Sequence, residues 1–156
     1  MLCMSASRSV LRSIGPSPRM KRLFASIHVF LYRLTGGVLG QRLGPARTLL
    51  LTTIGHKTGK QRVTPITYFP DGNTFVLVAS NYGAATDPLW LRNLRKHPHT
   101  QIQVRAKILT VDAEEAVGDE KERLAHLARR LNPTYERYQQ RTSRDIPLVV
   151  LHPSPT

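Results

Sequence analysis

The chain has 156 residues, of which 40% are hydrophobic and 21% charged. That describes one globular domain and excludes both a disordered chain and two full-size domains. The formal charge of +13 is uneven: residues 1–70 hold 11 of the 23 Lys and Arg and none of the 10 acids, so the first half offers a positive field to a phosphate-bearing ligand, a nucleic acid or an anionic membrane surface.

Residues 1–18 are rich in Arg and Ser and lack the continuous apolar stretch of a secretory signal. Their composition fits a transit peptide and a disordered basic tail alike, and the tail is the expectation taken here. The single cysteine, Cys3, leaves no pair for a disulfide, a zinc ribbon or an iron–sulfur cluster. From Arg19, apolar residues fall at Leu23, Phe24, Ile27, Phe30, Leu31 and Leu34, a helical stripe flanked by Arg19, Lys21, Arg22 and Arg33. Residues 19–40 are therefore expected to form an amphipathic basic helix that either packs on the domain or lies on a membrane surface. No run of about 18 apolar residues is present to span a membrane.

Residues 41–156 read as a β domain with helices between strands. Arg47 to Ile54 is the first strand, and the two-glycine turn Gly55 to Lys60 leads to a second, Val63 to Phe69, where Pro65 marks an edge or a bulge. Pro70-Asp71-Gly72-Asn73 is a hairpin signal. Thr74 to Ser80 is apolar enough for a strand buried on both faces, and a loop follows to Thr86. Asp87-Pro88 predicts a helix start with Asp at the N-cap, and His97-Pro98 ends that helix. Gln101 to Ala106 alternates polar and apolar, and Lys107 to Ala116 continues the sheet. Asp119 and Glu122 suggest a capping box for a helix buried along Leu124, Leu127, Ala128 and Leu131. After Asn132-Pro133, a short helix carries Tyr135 and Tyr138, and Ile146 to Leu151 is the last strand. About six strands without regular βαβ alternation predict a small closed or half-closed β-barrel.

The densest chemistry lies in Gly55-His56-Lys57-Thr58-Gly59-Lys60-Gln61-Arg62, with three cations, a hydroxyl and two glycines that let backbone N–H groups approach a ligand. Such a loop suits a phosphate or a carboxylate. It is not a Walker loop, because its glycines are only four apart. No G-x-S-x-G elbow and no H-E-x-x-H is present, so an enzyme of this sequence would draw its hard chemistry from a cofactor. No metal site is expected, since His97 and His99 flank a proline in a loop. Residues 55–62 contain no aromatic residue for base stacking, which argues against nucleic acid.

Five blocks then stand in order: TLLLTTIGHKTGKQRVTPITYF, DG, FVLVASNYG, DPLWLRNLRKHP and NPTYERYQQRTSRDIPLVVL. With them, residues 20–153 resemble the deazaflavin (F420)-dependent nitroreductase family, which covers F420H2-dependent quinone and nitro reductases. The resemblance implies a mainly β fold with flanking helices, the split β-barrel of FMN-binding proteins. It implies coenzyme F420 as cofactor, with FMN as the alternative, and two-electron hydride transfer to a quinone-like, nitro or other electron-poor acceptor.

The resemblance also implies a binding site. The family's glycine-flanked basic turn and the Arg after it are matched by His56, Lys57, Thr58 and Arg62, which would hold the coenzyme's phosphate and glutamate tail. Val63, Thr64, Pro65, Ile66 and Thr67 follow along the same strand. Val78, Ala79 and Ser80 would border the deazaflavin ring, with Asn81 beside them. Leu89, Trp90, Leu91, Arg92 and Asn93 would add backbone and side-chain contacts. Tyr135 and Tyr138 would lie over the ring and the substrate. Ser80 and Tyr135 are the catalytic candidates, placed to hydrogen-bond the acceptor and relay a proton. Thr67, Asn81, Leu91 and Asn132 depart from the nitro-reducing members, and three of these changes remove an aromatic residue from the pocket. The partners expected are a small-molecule acceptor and no nucleic acid, in a monomer or homodimer. The location expected is cytoplasmic, with peripheral membrane contact as an option.

Overall fold

A computed structural model describes residues 42–43 and 46–155. The expected tail (1–18) and basic helix (19–40) lie outside the described residues. The elements are β1 (Arg42–Leu43), β2 (Ala46–Ile54), β3 (Gln61–Asp71), β4 (Thr74–Val78), a 3-10 turn (Asn81–Gly83), α1 (Leu89–Lys96), β5 (His99–Val104), β6 (Lys107–Glu115), α2 (Gly118–Leu131), α3 (Thr134–Gln140) and β7 (Leu148–Pro153).

The sheet runs β1-β2-β3-β4-β7-β6-β5, and β5 pairs back onto β2, all antiparallel. Six strands thus close a barrel. Closure explains the two-faced burial that the apolar strands imply. In β7, Val149 and Leu151 face the barrel core, whereas Leu148 and Val150 pack with Leu124 and Ala128 of α2 outside it. α1 sends Leu91 and Leu94 into the core beside Leu49, Leu51, Leu77 and Ile102.

β3 is asymmetric. It pairs with β2 from Gln61 to Tyr68 but with β4 only from Tyr68 to Asp71. Residues 61–67 therefore have an open edge among the described residues, and this is where the barrel splits. Pro65 sits in that half, where its missing N–H costs no ladder bond on the open side.

Several boundaries differ from expectation. The third strand ends at Val78, and Asn81–Gly83 turns as a 3-10 element instead of an open loop. A tight hairpin at Arg105-Ala106 joins β5 to β6, with Arg105 at φ 56°. Asp87 does not cap α1: Pro88 holds that position, its carbonyl accepting from Leu91 and Arg92, and the Asp87 carboxylate binds Arg95 and Arg144. α2 starts after Val117 with no side-chain cap, so Asp119 and Glu122 form no capping box, although Asp119 still favours the helix dipole. Leu131, expected in the buried stripe, is 53% exposed.

Candidate active site

The basic turn is built from its backbone outward. Gly55 N–H donates to the Lys60 carbonyl (2.9 Å), and Thr58 and Gly59 N–H donate to the Gly55 carbonyl (3.1 and 2.8 Å). Gly59 closes the turn at φ +65°, with nothing within 4 Å of where a Cβ would stand. Asn93 of α1 clasps the turn to the barrel. Its Oδ1 accepts from His56 N–H (3.0 Å) and lies 2.8 Å from His56 Nδ1, while its amide donates to Thr53 Oγ1 (3.0 Å). Lys96 adds a bond to the His56 carbonyl.

Lys57, Thr58, Lys60 and Arg62 are exposed. None of these three cations enters an ion pair among the described residues, whereas Arg95, Arg123 and Arg144 are each paired with carboxylates. A cluster of unpaired cations on a fixed backbone can hold a polyanion.

From this turn, β3 runs along the open split. Ile66 and Tyr68 face the core, so Val63, Pro65, Thr67 and Phe69 share the outer face. Roughly 17 Å beyond Arg62, at about 3.3 Å per residue, Thr67 Oγ1 meets Tyr135 OH of α3 at 3.4 Å. Burial pushes the Tyr135 phenol above its ordinary value, opposed by the Thr67 hydroxyl. Tyr135 therefore keeps its phenolic proton at neutral pH. Tyr138 stands 6.4 Å from Tyr135 and 6.1 Å edge-on from Tyr82, ring centre to ring centre.

Ser80 lies two residues past the end of β4 and leads into the 3-10 turn. Its carbonyl accepts from Gly83 N–H and from Arg144 Nη2, and no described group hydrogen-bonds its hydroxyl. Ser80 and Tyr135 share no hydrogen bond. Asn81, Tyr82 and Gly83 all have positive φ (46°, 58° and 78°). Arg144 holds this strained turn: its guanidinium bonds Asp87 Oδ1 (2.6 Å) and the carbonyls of Ala79 (3.1 Å), Ser80 (3.2 Å) and Ala84 (3.4 Å). Sequence reasoning missed Arg144, whose partners lie 57 to 65 residues away in the chain.

The predicted site residues fall into three groups. His56, Lys57, Thr58, Arg62 and Asn93 come together at the turn. Pro65, Thr67, Tyr135 and Tyr138 line the outer face of β3 and the α3 surface beside it. Leu91, Ala79 and Val78 are core-facing or packed, so they offer backbone, while Leu89 and Arg92 are exposed on α1 and Trp90 is half-buried against the core. Among the described residues no cluster of three metal-ligating side chains exists.

A family model described as F420H(2)-dependent quinone reductase matches residues 24–153. The chain belongs to the F420H(2)-dependent quinone reductase family. An F420H(2)-dependent quinone reductase of Mycobacterium tuberculosis strain H37Rv is 39% identical over 129 residues, covering 80% of this chain and 87% of the relative. A solved F420-H2 dependent reductase, FDR-A, is 33% identical with a TM-score of 0.62, covering 67% of this chain and 93% of its own. A second structure, described as a domain-swapped dimer, is 29% identical with a TM-score of 0.64 over 87% of this chain and 100% of its own. The F420H(2)-dependent quinone reductase family is one of oxidoreductases that use coenzyme F420, as the sequence resemblance implied, and the split barrel with three flanking helices is the fold expected. The residues present fit that coenzyme: unpaired cations suit its anionic tail, and the open edge of β3 offers backbone groups to its ring.

Proposed function

We propose that this protein reduces a quinone by hydride transfer from F420H2, with the coenzyme's anionic tail on the turn of residues 56–62 and its ring along the open half of β3. The observation that carries this reading is the unpaired cluster Lys57, Lys60 and Arg62, set by Asn93 at one end of a split that leads to Tyr135. The bound coenzyme supplies the hydride. The chain's residues supply position and a proton.

Reduction of a quinone to a hydroquinone places negative charge on an oxygen that must then be protonated. Tyr135, kept neutral by burial, donates a hydrogen bond to that oxygen and orients it, and Thr67 fixes the phenol. Ser80, whose hydroxyl has no described partner, is the second donor. Asn93 and Arg144 hold the two walls of the split at their spacing. The reading extends to nitro compounds or other electron-poor acceptors reduced by the same transfer. The test is anaerobic oxidation of F420H2 with a menadione-like quinone, alongside an F420 binding titration. Binding and quinone-dependent oxidation are expected. Binding of FMN in place of F420 would move the assignment to a flavoprotein.

A further inference from the structure

The turn after β4 carries an exposed aromatic ring on a backbone that disfavours it. Asn81 and Tyr82 both adopt the left-handed region, at φ 46° and 58°. Asparagine tolerates that region, but a bulky residue such as tyrosine is seldom found there. The turn is nevertheless held from several sides. Asn81 Nδ2 donates to the Thr86 carbonyl (2.9 Å), and Ala84 N–H donates to the Asn81 carbonyl (3.1 Å). Arg144 bonds the carbonyls that flank the turn, at Ser80 and Ala84, and Gly83 lies against the backbone of Tyr138 in α3. Tyr82 is thus fixed in place and still 72% exposed, whereas every other described aromatic residue is buried or half-buried.

We infer that Tyr82 is a substrate-binding residue whose open ring face stacks on the flat, electron-poor ring of the acceptor and so favours fused two-ring quinones over single-ring ones. The inference rests on the quinone-reductase reading above. Tyr82 stands two residues past Ser80, and its ring meets that of Tyr138 edge-on at 6.1 Å; the Tyr138 ring in turn lies 6.4 Å from that of Tyr135. Ser80 and Tyr135, the two proton donors, therefore sit on the two segments that the Tyr82–Tyr138 contact joins. That contact is edge-to-face and leaves most of Tyr82 open to a ligand. The face of a phenol ring is electron-rich and attracts an electron-poor ring in an offset stack. Left-handed backbone strain kept at a residue that gains little from burial points to a ligand as the use of the ring.

The test compares a methyl-naphthoquinone with a methyl-benzoquinone as acceptors, using the full-length protein and F420H2. Tyr82→Asn removes the ring yet suits a positive φ, so it should melt no lower than the wild type. Tyr82→Phe keeps the stacking face and is the conservative control. Tyr82→Asn should raise KM roughly fivefold for the two-ring quinone and about twofold for the one-ring quinone, with kcat and F420 affinity unchanged. Tyr82→Phe should keep the wild-type KM for both. An unchanged KM in Tyr82→Asn, an equal rise for both quinones, or a rise that Tyr82→Phe shares overturns the inference. A lower melting temperature in Tyr82→Asn, with both quinones affected alike, would show the ring serving packing alone and overturns it too. Each of these outcomes leaves wild-type turnover in place. If the wild type reduces neither quinone, the activity reading itself fails and the inference falls with it.

Discussion

Asn93 does more for the site than any cation in it. It is 5% exposed and joins the basic turn, α1 and β2 through three hydrogen bonds. Asn93→Ala strands His56 N–H and Thr53 Oγ1, at a cost of about 1–3 kcal/mol. Urea denaturation should show that loss, together with weaker F420 binding. Lys57→Ala and Arg62→Ala act differently. Each removes one charge from the anchor, so F420 affinity should fall roughly fivefold with stability unchanged and a shallower salt dependence. Tyr135→Phe should lower kcat on the order of 10²-fold while leaving F420 affinity in place. Because burial raises the Tyr135 phenol, the wild-type rate should show no break from its ionisation between pH 7 and its ordinary value of 10. Such residue roles were only partly legible in sequence. The cations and Tyr135 stand in recognisable blocks, but the partners of Asn93 lie 37 and 40 residues away, a pairing that no local pattern encodes.

At the scale of elements, the site exists because β3 outruns β4. Sequence carried half of this: Pro65 marked an edge or a bulge, while the point where β4 stops and a left-handed turn begins was not visible, since Asn81 and Tyr82 carry no glycine signal for positive φ. The same blindness missed the Arg105 hairpin. The turn after β4 is held against α3 at Gly83, where a Cβ would stand 2.8 Å from Arg141 Cβ and 2.9 Å from the Tyr138 carbonyl. Gly83→Ala should cost about 1–3 kcal/mol through this clash and the φ of +78°, read as a lower melting temperature. Arg144→Lys keeps the charge but loses the planar fork that reaches Asp87 and three carbonyls at once. It should raise KM for the quinone and lower kcat, with F420 affinity close to wild type, since the basic turn does not touch it. The cap expected at Asp87 fails because two guanidiniums take its carboxylate, whereas the helix after Val117 starts with no side-chain cap at all.

For the whole molecule, closure of six strands and the charge division set the behaviour. The barrel was legible as short apolar strands between turn signals; which strand closes onto which was not, because β2 pairs with β5 across four intervening elements. Ion pairs tie the outside of the barrel together. Arg123 holds Asp71 below its ordinary value of 3.8, and Arg95 holds Glu115 below 4.5. Lowered folded-state values mean that these groups stabilise the fold above their unfolded values and lose that effect as pH falls through the folded ones. The urea midpoint should hold steady above about pH 5 and decline below about pH 4, and Arg95→Met should flatten that decline. No described helix is long and apolar enough to cross a membrane; flotation with anionic vesicles measures the peripheral contact that the basic sequence of residues 19–40 leaves as an option. The most direct test of the whole account follows F420H2 oxidation by a menadione-like quinone under anaerobic conditions, in the wild-type protein and in Lys57→Ala/Arg62→Ala. Quinone-dependent oxidation, with a raised KM for F420H2 in the double variant, is the result predicted. No oxidation by the wild type, or an unchanged KM in the variant, would contradict it.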